Sequence, residues 1–364
     1  MVLLGIFLLI CAAAVYSFMH GKPFGAKPGG ERLKRIQQSP HYRDRQFQNL
    51  NPTPQLTEGA NIFSILREFL FDKSKQKIPP SALPSKKTDL LKLAPDKNIL
   101  VWFGHSSYFM QVDHKTILVD PVFSGNASPL SFTTKSFKGS DIYTPDDLPA
   151  IDYLIITHDH WDHLDYKTVL QLRPKVNKII TGLGTAAHLE FWGYDPNNIR
   201  EMDWNEQVLL EEGFSVNSTP ARHFSGRGLK RNGSLWMSFV LTTPGKKIYI
   251  GGDSGYDHHF AEIGHQFGPF DLAILEDGQY DKNWKYIHMS PEETVQAAID
   301  LKAKKLLPVH WAKFSLSVHA WNEPIIRIKK EADQRNMKLL HPMIGETVDL
   351  DKDQVFSAWW EEID

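Results

Sequence analysis

Tyr153-Leu154-Ile155-Ile156-Thr157-His158-Asp159-His160-Trp161-Asp162-His163 is the stretch on which the reading of this chain turns. Its first five residues are apolar or β-branched, the composition of a buried strand. The next six carry His158, His160, Asp162 and His163 on what must be a sharp loop at the strand's end. Side chains placed there converge on one point while the strand holds the backbone rigid. Neutral imidazoles and a carboxylate are the donors that zinc and other borderline metals take. Four donors within six residues exceed what one ion with an open position accepts. The spacing therefore implies two ions side by side.

Two ions need more donors, and three further strand ends offer them. His223 follows the β-rich run Ser215–Thr219, Asp253 follows Lys247–Gly251 on a Gly251-Gly252 turn, and His310 closes Leu306–His310. An aspartate on a glycine turn suits a bridging position, because the glycines let the backbone approach closely. Further strands are expected at Asn98–Phe103, Ser107–Val112, Lys115–Asp120, Lys178–Thr181, Leu235–Thr242 and Asp271–Leu275. Helices are expected at Tyr166–Leu172, Thr185–Phe191, Pro291–Lys302 and Glu323–Arg335. Consecutive strands that give way to strand–helix alternation indicate mixed sheets covered by helices.

These seven residues resemble, in order and without substitution, the ligand set of the metallo-β-lactamase superfamily. The resemblance implies an α/β fold, the αβ/βα four-layer sandwich, with metals at one edge of the sheets. It implies two zinc ions (Zn2+): His158, His160 and His223 on one, Asp162, His163 and His310 on the other, with Asp253 bridging. Gly104-His105-Ser106-Ser107, Leu118–Phe123 with Ala127-Ser128-Pro129, and Tyr286–Glu293 narrow the likeness to the N-acylphosphatidylethanolamine-hydrolysing phospholipase D family. His310–Phe314 and the upstream Ser39–Arg43 and Phe47-Gln48-Asn49 are similar to that family as well. The apolar N-terminus departs from its pattern. So does Ile287, where a polar neighbour of His288 able to touch phosphate is expected.

The resemblance makes His288 a catalytic residue that holds or protonates substrate; Ser290-Pro291-Glu292-Glu293 behind it is a helix-capping pattern. Asp120 is expected to support the site through hydrogen bonds. His105 is read either as a donor behind the metals or as part of the Gly104 turn. Asp257-His258-His259 is expected to cap a helix and stay solvated, and His265, His319 and His341 are ordinary. The tryptophans are packing residues, with Trp161 and Trp311 also placed to line a substrate entrance.

Composition sets the remaining bounds. Across 364 residues, 41% hydrophobic and 23% charged content suit a globular protein with a substantial core. A formal net charge of −2 argues against a nucleic-acid partner. The single cysteine, Cys11, excludes an intrachain disulfide and a thiolate metal cluster. Residues 1–20 are an anchor or signal segment, uncharged from Val2 to Met19 and near bilayer length. Lys22, Lys27, Arg32, Lys34 and Arg35 follow it, which puts the domain on the cytoplasmic side if the segment stays as an anchor. If it is a cleaved signal, Ala12–Ala14 and Ser17 offer small residues for a peptidase and the domain is periplasmic or exported. A lipoprotein signal is disfavoured by Ile10 before Cys11. Residues 21–97 read as a linker and wrapping arm with an amphipathic helix over Ile62–Leu70, expected first to pack on the core and second to lie on a membrane. Residues 98–364 form the catalytic domain.

The expectation is a zinc-dependent phospholipase D-type phosphodiesterase. It cleaves N-acylphosphatidylethanolamine to N-acylethanolamine and phosphatidic acid by a metal-bridged hydroxide, with Asp253 and His288 at the reacting centre. Its partners are a phospholipid and a membrane surface, and a homodimer is left open. A lactonase or soluble phosphodiesterase of the same superfamily is the alternative. A noncatalytic membrane-associated protein is the alternative of another class.

Overall fold

The computed structural model describes residues 2–71 and 76–363. The chain begins with α1 (Val2–Met19), α2 (Gly30–Gln38), a two-stranded ribbon of β1 (Tyr42–Arg43) and β2 (Gln46–Phe47), and α3 (Ile62–Phe71). A first half follows: β3 (Ile99–Trp102), β4 (Tyr108–Val112), β5 (Lys115–Val119), β6 (Ile151–Ile156), α4 (Tyr166–Leu172), β7 (Val176–Gly182), α5 (Ala186–Phe191) and β8 (Ile199–Met202). The second half runs β9 (Gln207–Glu211), β10 (Phe214–Thr219), β11 (Ser238–Thr242), β12 (Lys247–Ile250), α6 (His259–Gln266), β13 (Leu272–Glu276), α7 (Pro291–Asp300), β14 (Leu306–Val309) and α8 (Glu323–Arg335). β15 (Thr347–Asp349) then returns to the first sheet.

One sheet has the order β15-β3-β4-β5-β6-β7-β8, the other β14-β13-β12-β11-β10-β9. Alternation along each strand explains the layering. Leu100 and Trp102 of β3 join the core between the sheets, while Val101 belongs to a second cluster with Val169 and Leu172 of α4 and Leu189 of α5. Strands buried on both faces read as continuous apolar runs, and most of the strands legible in the sequence are of this kind; β10, also expected, mostly alternates buried and half-buried residues. β8, β9, β15 and the β1–β2 ribbon had no such signal. In β9 exposed residues alternate with half-buried ones, as on a sheet edge.

Strand direction gathers the site. β5, β6 and β7 are parallel, and β3 shares their direction because β4 is antiparallel to both β3 and β5. β12, β13 and β14 are parallel, and β10 runs the same way through antiparallel β11. Within each sheet the carboxyl ends of these strands therefore lie on one edge, and every candidate site residue follows one of them.

Residues 21–97 wrap this body. Ile36 and Phe47 are buried in the inter-sheet core, and Arg32 of α2 is paired with Glu190 and Glu201. The irregular connection expected over residues 73–97 lies outside the described residues up to Lys75. The first expectation for α3 fails: Ile65 alone is buried, while Phe63, Leu66, Leu70 and Phe71 are exposed.

Candidate metal centre

The loop after β6 presents His158, His160, Asp162 and His163, and the loops after β10, β12 and β14 bring His223, Asp253 and His310 to the same place. His158 Nε2 and His223 Nε2 lie 2.9 and 3.2 Å from His160 Nδ1. His310 Nε2 and His163 Nε2 lie 3.4 and 3.6 Å from Asp162 Oδ2. Between these groups sits Asp253. Its Oδ2 is 3.1 Å from His163 Nε2 and His310 Nε2, 3.7 Å from His223 Nε2 and 3.8 Å from His158 Nε2. All seven predicted residues are thus brought together, with Asp253 touching both triads. Gly252 makes that approach available: it has φ +61°, and a Cβ there would meet Met237 O at 2.9 Å.

Four of the five ligand rings are aimed by their other nitrogen. His163 Nδ1 donates to Asp120 Oδ2 (2.8 Å), His223 Nδ1 to Ile287 O (2.9 Å) and His310 Nδ1 to Gly278 O (3.3 Å). Thr157 Oγ1 donates to Asp120 Oδ2 at 2.6 Å, which leaves it to accept from His158 Nδ1 at 3.0 Å. Such bonds set the tautomer and leave the Nε2 lone pair for a metal. His160 reverses the pattern and presents Nδ1. Asp120, one of the expected supporting groups, accepts three hydrogen bonds, from Thr157 N, Thr157 Oγ1 and His163 Nδ1.

Electrostatics tests whether cations fit. Burial holds His158, His160 and His223 below the usual histidine range, His160 at about 4. Three neutral rings thus point lone pairs at one another. Burial also opposes charge on His163 and His310, but Asp253 and its neighbours outweigh it, pushing His163 well up and His310 up to about 10. His163 Nε2 and Asp253 Oδ1 are buried without a hydrogen-bond partner. Lone pairs on one side, excess negative charge on the other and orphaned donor atoms between them suit a pair of cations.

His105 lies inside the cluster, with Nε2 2.9 Å from Asp162 Oδ2. Reciprocal backbone bonds, His105 N to Trp311 O (2.8 Å) and His310 N to His105 O (3.0 Å), join its turn to the His310 loop. His105, Asp120 and His310 have φ of 52°, 42° and 71°, left-handed values that non-glycine residues adopt at a cost and that collect at functional sites. His288 stands over the centre, its ring 5.0 Å from His223 and 5.1 Å from His310. Its Nδ1 donates to Glu276 Oε2 at 2.6 Å, and Glu276 Oε1 accepts Met289 N–H at 2.7 Å. The Ser290–Glu293 capping box that starts α7 forms as expected.

Three supporting roles escaped sequence reasoning, although Asn49 belongs to the Phe47-Gln48-Asn49 stretch that carried the family likeness. Glu276 ends β13, and the strand-end criterion that picked out Asp253 and His310 applies to it equally. Asn49, in the arm, clasps the His223 backbone, donating from Nδ2 to His223 O (2.7 Å) and accepting His223 N–H on Oδ1 (3.0 Å). Arg227 is buried and donates from Nη1 to Asp159 O (2.9 Å), within the ligand loop, and to Leu164 O (2.6 Å), directly after it. No spacing signal marks Asn49 or Arg227. Two expectations are corrected. Trp311 is 1% exposed and packs on Trp102 and Trp359, away from any entrance. His259 is buried with its Nε2 3.3 Å from Ser254 Oγ, since the start of α6 packs inward instead of facing water.

Comparison with known proteins agrees with this architecture. The family described as Beta-lactamase superfamily domain matches residues 115–311. An uncharacterised protein of Mycobacterium tuberculosis is 34% identical over 357 residues, covering 94% of this chain and 93% of its own. An N-acyl-phosphatidylethanolamine-hydrolyzing phospholipase D of Caenorhabditis elegans is 30% identical, covering 80% of this chain and 86% of its own. Among solved structures, the metallo hydrolase Igni18 of Ignicoccus hospitalis superposes with a TM-score of 0.54 at 22% identity, over 69% of this chain and 97% of that one. The chain therefore belongs to the metallo-β-lactamase superfamily of metal-dependent hydrolases, and within it is similar to the N-acylphosphatidylethanolamine-hydrolysing phospholipases D.

Proposed function

We propose that the chain is a membrane-anchored phosphodiesterase that hydrolyses N-acylphosphatidylethanolamine to N-acylethanolamine and phosphatidic acid. The observation that carries the reading is one carboxylate oxygen, Asp253 Oδ2, within 3.8 Å of ring nitrogens from both triads, with the His288–Glu276 pair beside it. Two zinc ions held by the seven residues would supply an acidified water and offset charge on the phosphate oxygens. The chain's own groups supply the rest. Asp120, Gly278 O and Ile287 O keep the ligand rings in their working tautomers. As water oxygen joins phosphorus, the bond from phosphorus to the ethanolamine oxygen breaks. His288 Nε2 delivers the proton that this oxygen needs, with Glu276 orienting the ring and offsetting its charge. Ile287 contributes its carbonyl, so phosphate recognition falls to other groups.

A bilayer substrate gives the terminal helices a role. α1 is 18 residues long with mean hydropathy 2.5 and no buried residue. It serves as an anchor with the basic residues that follow it on the cytoplasmic side, and the exposed apolar face of α3 rests on the same membrane. Anchoring raises the local concentration of enzyme at its substrate.

The test is to incubate zinc-loaded protein with a total lipid extract and follow it by mass spectrometry. N-acylphosphatidylethanolamines should fall as N-acylethanolamines and phosphatidic acid rise. Depletion of another lipid, or of none, would reassign the substrate.

A further inference from the structure

The segment that leaves α1 is clamped to the ligand loop. Trp192 Nε1 donates to Lys22 O (2.8 Å), and Arg227 donates to Pro23 O from Nε (3.1 Å) and Nη2 (2.9 Å). Ala26 N donates to His188 Nδ1 at 3.1 Å. The Phe24 ring meets Trp161 edge-on at 5.1 Å and Phe18 of α1 at 5.3 Å. The foot of α1 thus rests on Trp161, between two candidate ligands, and not on a flexible tether.

The loop Gly226–Asn232 passes the same foot. A Cβ on Gly228 would touch Met19 Cε at 3.4 Å and Phe24 Cδ1 at 3.8 Å. The next residue, Leu229, is 92% exposed. It borders an open cleft of about 610 Å³ shared with Arg45, Lys230 and Arg231, in which Asp44 is the single acid. The Arg231 guanidinium lies over the Phe224 ring (4.9 Å), and that ring packs on His160 (4.4 Å). A leucine held out into solvent between cations is costly in water and favourable at a bilayer surface, where the leucine enters the acyl boundary and the cations meet phosphates. If α1 spans a membrane, its foot is at the interface, and this loop is at the same level.

We infer that the Gly226–Asn232 loop is a bilayer contact for this chain, with Leu229 immersed and Arg45, Lys230 and Arg231 on anionic headgroups. The clamp at Lys22–Ala26 then fixes the candidate metal centre to face the membrane that α1 crosses. The inference rests on α1 being an anchor, and is independent of which bond the enzyme cleaves.

Depth measurement on the full chain tests it. Cys11→Ser with Leu229→Cys carries a nitroxide, in vesicles of phosphatidylcholine with or without phosphatidylglycerol; Cys11→Ser with Val355→Cys, at a fully exposed position, is the reference. With phosphatidylglycerol, the label at 229 should lose collisions with an aqueous nickel reagent and gain them with oxygen, at a depth of about 5–10 Å. The label at 355 should stay aqueous. Without the anionic lipid, or with Arg45, Lys230 and Arg231 changed to Gln, the label at 229 should become shallower. A label at 229 as nickel-accessible as that at 355 overturns the inference, and shielding from both reagents would mean a protein partner instead. Insensitivity of the depth to anionic lipid would overturn the headgroup contacts. Protein that fails to float with vesicles removes the anchor and this inference with it, while leaving the hydrolytic reading to its own assay.

Discussion

Replacing Arg227 by lysine should loosen the candidate metal centre without touching a ligand. The guanidinium makes four hydrogen bonds to three carbonyls, those of Asp159 and Leu164 buried and that of Pro23 half-buried, and stacks on Trp161 at 3.9 Å. A lysine ammonium donates from one atom and cannot reproduce the planar fork, so about two of the four bonds are lost. Bonds from a charged donor contribute about 1.5–3 kcal/mol each, and the retained charge recovers part of this. A net loss of about 3 kcal/mol is expected, read as a lower urea midpoint of the metal-free protein. Asp159 lies within the ligand loop and Leu164 directly follows it, so zinc affinity should also fall, by about 10–100-fold as for other groups that orient ligands, measured by competition with a chromophoric chelator. An Arg227→Lys protein within about 0.5 kcal/mol of the parent, the range of an ordinary surface change, and with unaltered zinc affinity would refute the assignment.

Three further outcomes follow from the geometry. His160→Ala or Asp162→Asn should abolish zinc binding and hydrolysis together, whereas His288→Ala should retain zinc, measured by elemental analysis, and lose rate by about 10²–10⁴-fold; loss of zinc from His288→Ala would mean that it is a ligand. Stripping metal with a chelator should lower the thermal midpoint, because buried lone pairs and the charge around Asp253 are left uncompensated; an unchanged midpoint would count against a built site. Burial depresses His259 to about 3, below its unfolded value near 6.5. The unfolded chain therefore takes up the extra proton, and stability falls as pH drops below about 6.5, by about 2 kcal/mol at pH 5. In urea titrations His259→Gln should flatten that slope, and an unaltered slope would show that His259 does not set it.

Much of the centre was readable before any coordinates, because metal ligation needs particular side chains at the ends of particular strands. The loop after β6 and the strand ends at His223, Asp253 and His310 follow that rule. Glu276 obeyed it too and was passed over, since glutamate at a strand end is common and only its bond to His288 sets it apart. The charged helix α2 and the edge strands β8, β9 and β15 were invisible for a different reason. Their partners are ion pairs and neighbouring strands, which leave no apolar period.

Local sequence determined which side chains are able to hold metal, and the two-sided apolar strands determined that sheets would be covered by helices. Packing decided what composition does not encode: that Asn49 grips the His223 backbone from far along the chain, that Arg227 ties the ligand loop to the foot of α1, and that α3 leaves its apolar residues other than Ile65 outward. A hydrogen bond to a backbone carbonyl leaves no trace in residue type or spacing, because every residue carries the acceptor and only the fold selects which one is met.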